Sequence, residues 1–108
     1  MTYAMSVEGD SVVLNVRGEL DAACVDEIRE VVDRLATAGH RSIIVDLSGL
    51  LVIDSSGIGS IVSLYKRVRG KGGTVAVRGA KDQPLAILRL LKLDRVLVVP
   101  EAEQQVAA

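Results

Sequence analysis

The stretch LLVIDSSGIGSIVSLYKRV, Leu50 to Val68, decides the fold of this chain. An apolar run from Leu50 to Ile53 meets Asp54, two serines and two glycines, and then Ile58, Ile61, Val62, Tyr65 and Val68 recur at helical spacing. This pattern predicts a sharp passage from sheet to helix: Ile53 and Asp54 end the approach from the third strand, and Ser55, Ser56 and Gly57 form the first helical turn. Ligands of open α/β sheets gather beyond the carboxyl ends of strands, where unpaired helix amides point outward. The turn is therefore the predicted functional edge.

One capping side chain is enough for a helix start, and Ser55, Ser56 and Asp54 all compete for that role. Two serines exceed the need. Gly57 and Gly59 add a cost, about 0.8 to 1 kcal/mol each relative to alanine in a helix. They either permit close packing of helix on sheet or leave the backbone bare so that another protein can reach the hydroxyls. The residues alone leave both readings open.

Outward from this centre the chain alternates. Before it, Tyr3–Val7 and Val12–Val16 flank Gly9-Asp10-Ser11 and predict a hairpin. From Ala22 to Ala38, Val25, Ile28, Val32 and Leu35 mark one face of a helix, with Asp21 placed to cap it and Gly39 to end it. SIIVDL, from Ser42, is a β-branched run suited to a strand covered by helices. After the central segment, Gly70, Gly72 and Gly73 end the second helix and TVAV, from Thr74, predicts another strand. Asp82-Gln83-Pro84 opens a helix through Leu93, RVLVV from Arg95 a last strand, and Pro100-Glu101 a short terminal helix. The order β-β-α-β-α-β-α-β-α predicts a small mixed sheet with an N-terminal hairpin and crossover helices. Val45, Val62, Leu88 and Val98, from separate apolar segments, are expected in one core.

Composition narrows the function. The 108 residues, 49% hydrophobic, suit one domain over 1–108, with an aliphatic core because Tyr3 and Tyr65 are the only aromatics. A net charge of −1 gives no broad attraction to nucleic acid or anionic lipid. The opening residues MTYAMSVEGD lack a basic region followed by an apolar run, and no apolar run approaches a bilayer span, so a cytoplasmic protein without membrane insertion is expected. Cys24 has no cysteine partner and reads as a small buried hydrophobe, while His40 reads as a loop residue. Metal sites and histidine-based catalysis have little to work with, and no Walker A motif or other cofactor signature is present.

Two enzymatic or signalling rivals fit poorly. A serine hydrolase places its nucleophile in Gly-x-Ser-x-Gly rather than Asp-Ser-Ser-Gly, and His40 is the sole candidate base. A phospho-aspartate receiver could use Asp54, yet the acidic pair and later lysine such a domain needs are not evident. A binding module, not an enzyme, is the expectation.

The segment DLSGLLVIDSSGIGSIVSLYKRVRGKGGTVAV, with RGELD at Arg17–Asp21 upstream and LLKLDRVLVV downstream, resembles the STAS domain family, specifically its free-standing anti-sigma factor antagonists. The resemblance implies the STAS fold. It also implies that Ser56, the second serine of the motif, is phosphorylated by an anti-sigma factor that is itself a serine kinase, with Ser55 as the fallback. By the same resemblance the unmodified protein binds that kinase and releases a sigma factor, and a PPM-class serine phosphatase restores it. Asp21, Asp54, Ser55, Ser56, Gly57 and Gly59 are the implied partner-binding residues. A scaffold or regulatory subunit of a stress-signalling or transport assembly is the alternative use of such a domain. Lys92 departs from the family pattern, standing where many relatives carry glycine before the Leu-Asp pair.

Overall fold

The computed structural model describes residues 1–97. Strands β1, Thr2–Glu8, and β2, Ser11–Leu20, form an antiparallel hairpin around Gly9-Asp10. After a single 3-10 turn at Ala22–Cys24 come helix α1, Val25–Thr37, and strand β3, Ser42–Asp46. Strand β4, Leu50–Ile53, leads into helix α2, Ser55–Gly70, and strand β5, Thr74–Arg78, precedes helix α3, Asp82–Leu90. The sheet runs β1-β2-β3-β5, with β4 also paired to β2.

The long strand β2 organises the sheet because it serves two parallel partners in succession. Val12–Asn15 pair with Ile43–Asp46 of β3, and Gly18–Leu20 pair with Leu50–Ile53 of β4. The register shifts between Gly18 and Glu19, where Gly18 takes φ +87 and its amide reaches the Gly49 carbonyl at 3.0 Å. Such a left-handed irregularity is tolerated best by glycine. It divides β2 between its two partners.

This corrects one expectation. The third strand does not itself lead to Asp54; after Leu47 the chain turns, with the Leu50 amide on the Leu47 carbonyl at 3.0 Å, and forms β4 as a separate strand. A four-residue apolar run reads equally as the tail of a strand or a new one, and only its pairing with β2 distinguishes them. Because β4 lies outside the main path of the sheet, Leu51 remains 67% exposed.

Apolar side chains from every element meet in one core. Leu14, Ile28, Val45, Leu64, Val77 and Leu88 are all buried in it. Val62 is only half-buried against this cluster, because the innermost face of α2 is carried by Ile58, Ile61, Leu64 and Val68. Val98 lies outside the described residues. The two helices are pinned by an ion pair between Arg67 and Asp33 and by Lys71 Nζ donating to the Ala36 carbonyl at 2.8 Å.

Polar links fasten the opposite rim. Arg78 Nε donates to Asp46 at 3.0 Å, and its two terminal nitrogens donate to Glu8 at 3.0 and 2.6 Å. One guanidinium thereby ties β5 to β3 and to the hairpin. Its pKa is raised by those carboxylates, and the same hydrogen bonding lowers that of Glu8.

The C-terminal expectations shift in detail. Helix α3 ends at Leu90 rather than Leu93, because Lys92 takes a left-handed conformation, φ +61, and a 3-10 turn follows at Leu93–Arg95. Arg95 therefore closes a turn instead of opening the last strand. Leu97 is buried and its carbonyl accepts the Val77 amide at 2.7 Å. The remainder of RVLVV and the helix expected from Pro100 lie outside the described residues.

Candidate functional site

The site forms where β2 and β4 both end. Leu20 closes β2 and Ile53 closes β4, and the two strands pair at these residues, so the segments that follow them start side by side. Asp21 caps the 3-10 turn before α1, its Oδ1 accepting the Ala23 amide at 3.0 Å. Asp54 caps α2, its Oδ1 accepting the Gly57 amide at 3.1 Å. The second oxygen of Asp54 accepts the Ala22 amide at 3.2 Å, across a gap of 32 residues in sequence. The Asp54 amide returns to the Leu20 carbonyl at 3.1 Å. Both aspartates thus satisfy amides left free at helix starts, and a single carboxylate locks the two starts together.

With Asp54 as the cap, the serines are released from that duty. Ser55 is exposed and Ser56 is half-buried, and both sit in the first turn of α2. Ser60 Oγ donates to the Ser56 carbonyl at 3.1 Å, which occupies the backbone of Ser56 and not its hydroxyl. Nucleophilic oxygens are thereby presented at the positive end of a sixteen-residue helix.

The two glycines divide the readings that the sequence left open. A Cβ on Gly57 would lie 2.7 Å from the Leu20 carbonyl oxygen and 2.7 Å from Ile53 Cγ1. Glycine at 57 is what lets α2 sit down on the ends of both strands. Gly59, by contrast, has nothing within 4 Å of such an atom and is exposed. It lines a groove of about 340 Å³ between α1 and α2, together with Ser55, Ser56, Ser60, Val25 and Arg29.

A residue that the sequence reading passed over completes the frame. Gln83, in the first turn of α3, donates from Nε2 to the Ile53 carbonyl at 2.8 Å and accepts the Ile53 amide on Oε1 at 2.9 Å. Its amide mimics a neighbouring strand and closes the outer edge of β4 immediately before Asp54. No local sequence signal marks such a glutamine, because its partner lies 30 residues away. Cys24 is also placed differently from expectation: it is half-buried, with Sγ 3.4 Å from the Asp21 amide and 3.3 Å from the Asp21 carbonyl. It packs against the edge of the core and serves the polar turn as well.

Residues 3–106 match the model of the STAS domain family. The chain belongs to that family. An anti-sigma-B factor antagonist of Staphylococcus aureus is 28% identical over 91 residues, which cover 84% of each chain. Among solved structures, an anti-sigma factor antagonist from Mycobacterium paratuberculosis superposes with a TM-score of 0.85 at 18% identity, covering 98% of this chain and 91% of its own. The Bacillus cell fate determinant SpoIIAA in its phosphorylated form gives 0.73 at 22% identity, covering 95% and 96% respectively. These structural likenesses establish the fold, a mixed sheet with helices shared with anti-sigma factor antagonists.

Proposed function

We propose that this protein is an anti-sigma factor antagonist that acts through the start of α2. The unmodified form binds an anti-sigma factor and so frees a sigma factor, and phosphorylation of Ser56 ends the complex. The carrying observation is the division of labour at residues 54–59: Asp54 does the capping, Gly57 does the packing, and the hydroxyls of Ser55 and Ser56 are left beside the open surface at Gly59. The SpoIIAA relative, solved in a phosphorylated form, supports the same chemistry in this fold. The role is that of a regulatory binding module in the cytoplasm, not an enzyme, and the STAS domain is taken to span 1–108.

In the forward step Ser56 Oγ attacks the γ-phosphorus of ATP held by the partner kinase. The new O–P bond forms as the bond to the β–γ bridging oxygen breaks, ADP leaves, and the hydroxyl proton passes to a base of the kinase. A PPM-class phosphatase reverses the state by hydrolysis, giving serine and inorganic phosphate. The phosphate adds about −1.5 to −2 charges, which a helix N-terminus accommodates locally. At a docked interface the same group must shed water close to Asp54, and affinity falls. Asp21 and Asp54 border the contact, while Ser55, Ser56 and Gly59 form its surface and Gly57 sets its height.

The test pairs the protein with its cognate anti-sigma factor and ATP. Mass spectrometry is expected to find phosphate on Ser56, and calorimetry a loss of at least about tenfold in affinity, equivalent to 1.4 kcal/mol. Ser56→Ala is expected to bind and to resist release. An acid-labile phosphate on Asp54, or equal binding by modified and unmodified protein, would sink the mechanism in favour of a scaffold role.

A further inference from the structure

Ser56 and Arg29 face the same groove from opposite helices, Ser56 from the first turn of α2 and Arg29 from α1. We propose that Arg29 is the intramolecular partner of a phosphate on Ser56 and holds the modified side chain in this groove. The inference rests on the reading of Ser56 as the phosphate acceptor.

Charge accounting singles out Arg29. The groups around the site are Asp54 at the α2 cap, Asp21 beside it, Asp26, Arg29 and Asp33 on α1, and Arg67 on α2. Arg67 is committed to Asp33, and it lies eleven residues beyond Ser56, or about 16 Å along the helix axis. Among the described residues that line the groove, Arg29 is the remaining cation. Its side chain is 67% exposed and its ionic contact is Asp26 at 3.9 Å, longer than a hydrogen bond and on a carboxylate that is 96% exposed. Surface pairs of this kind are weak, so recruiting the guanidinium costs little. Val25, one turn before Arg29 on α1, lines the same groove as Ser55 and Ser56 at the α2 N-terminus.

A phosphoserine offers three oxygens to a planar fork of donors, a match that arginine makes bidentately. Anchored to Arg29, the phosphate lies across the surface at Gly59 and Ser60 instead of pointing freely into water. The groove of about 340 Å³ has room for it. Arg29 then acts as a positioning residue of the modified state: it keeps the phosphate over the contact surface and shields it from a phosphatase.

The experiment installs phosphoserine at position 56 by genetic encoding, so that no kinase is required, and follows the second ionisation of the phosphate by phosphorus NMR. A neighbouring guanidinium favours the dianion. The apparent pKa in the wild-type background is expected to lie about half a unit below that in Arg29→Gln, while Arg29→Lys retains part of the shift and Arg89→Gln on α3 leaves it unchanged. Arg29 is exposed, and thermal melts of the variants verify that each is folded. Equal values for wild type and Arg29→Gln, or an equal change from Arg89→Gln, overturn the proposal. Kinase labelling of the unmodified protein reports separately on Ser56 as the acceptor, so failure of that reading is distinguishable from failure of the Arg29 contact.

Discussion

The carboxylate of Asp54 holds the amide of Ala22 at 3.2 Å, joining the starts of two helices that are far apart in sequence. The other oxygen of the same carboxylate holds Gly57. Asp54 is therefore a two-way cap, and the two oxygens cannot be replaced by one.

Asp54→Ala is expected to lower stability by about 1 to 2 kcal/mol, as loss of a helix cap does. Asp54→Asn keeps an acceptor for one amide and turns a donor towards the other, so its cost is expected at about 0.5 to 1 kcal/mol, half the alanine loss. Urea unfolding of the three proteins measures both values. An Asn variant as stable as wild type would show that the Ala22 contact carries no energy.

Alanine substitutions at the two glycines are expected to act in opposite directions. Gly57→Ala drives a methyl into the Leu20 carbonyl oxygen and should cost about 2 to 3 kcal/mol, because backbone cannot yield as a flexible side chain does. Gly59→Ala meets open space in a helix interior and should stabilise by about 0.8 to 1 kcal/mol. If Gly59 forms part of the docking surface, that stabilised variant also binds the anti-sigma factor more weakly. Thermal melts and calorimetry separate the two effects.

Gln83→Ala removes the amide that pairs with both backbone groups of Ile53. The expected cost is about 1 to 2 kcal/mol for the two hydrogen bonds. Hydrogen exchange at the Ile53 amide should accelerate more than at the Val45 amide, which lies in the interior strand β3; a uniform change across the sheet would contradict a local role.

Acid should weaken the rim of the sheet through Asp46. Burial raises the pKa of this carboxyl, but hydrogen bonds from Ser48 and Arg78 outweigh that effect and leave it below the ordinary value of 3.8. A carboxyl with a depressed pKa in the folded state contributes stability above its unfolded pKa and loses it as the pH falls through the folded one. Asp46→Asn is accordingly expected to be less stable than wild type at neutral pH and to converge with it below 3.8. Urea midpoints measured at about pH 7 and pH 2 decide the point, and a gap that persists unchanged in acid would contradict it.

Lys92 occupies a left-handed backbone conformation, φ +61, which glycine adopts at least cost. Lys92→Gly should relieve that conformation and raise stability by about 0.5 to 1 kcal/mol, the unfolded-state entropy of glycine offsetting part of the gain. A drop in the melting temperature would show that the lysine side chain makes compensating contacts.

Local signals in the chain set the alternation of strands and helices up to α3, apart from β4, and the placement of Asp54, Ser55 and Ser56 at a helix start, because hydrophobic periodicity, turn residues and capping residues act over a few positions; the family was legible in the motif that runs from Asp46 to Val77. Tertiary structure decided what those positions do. That Leu50–Ile53 is a strand of its own follows from pairing with Gly18–Leu20, and that α3 stops at Leu90 follows from the left-handed turn at Lys92. Which serine duties Asp54 takes over, and why Gly57 and Gly59 are not equivalent, depend on Leu20, Ala22 and Ile53 arriving at the same place. The Gln83 clamp on Ile53 spans 30 residues and the Asp54 bridge to Ala22 spans 32. Contacts of that range are fixed by how the elements pack, and no local preference in the chain encodes them.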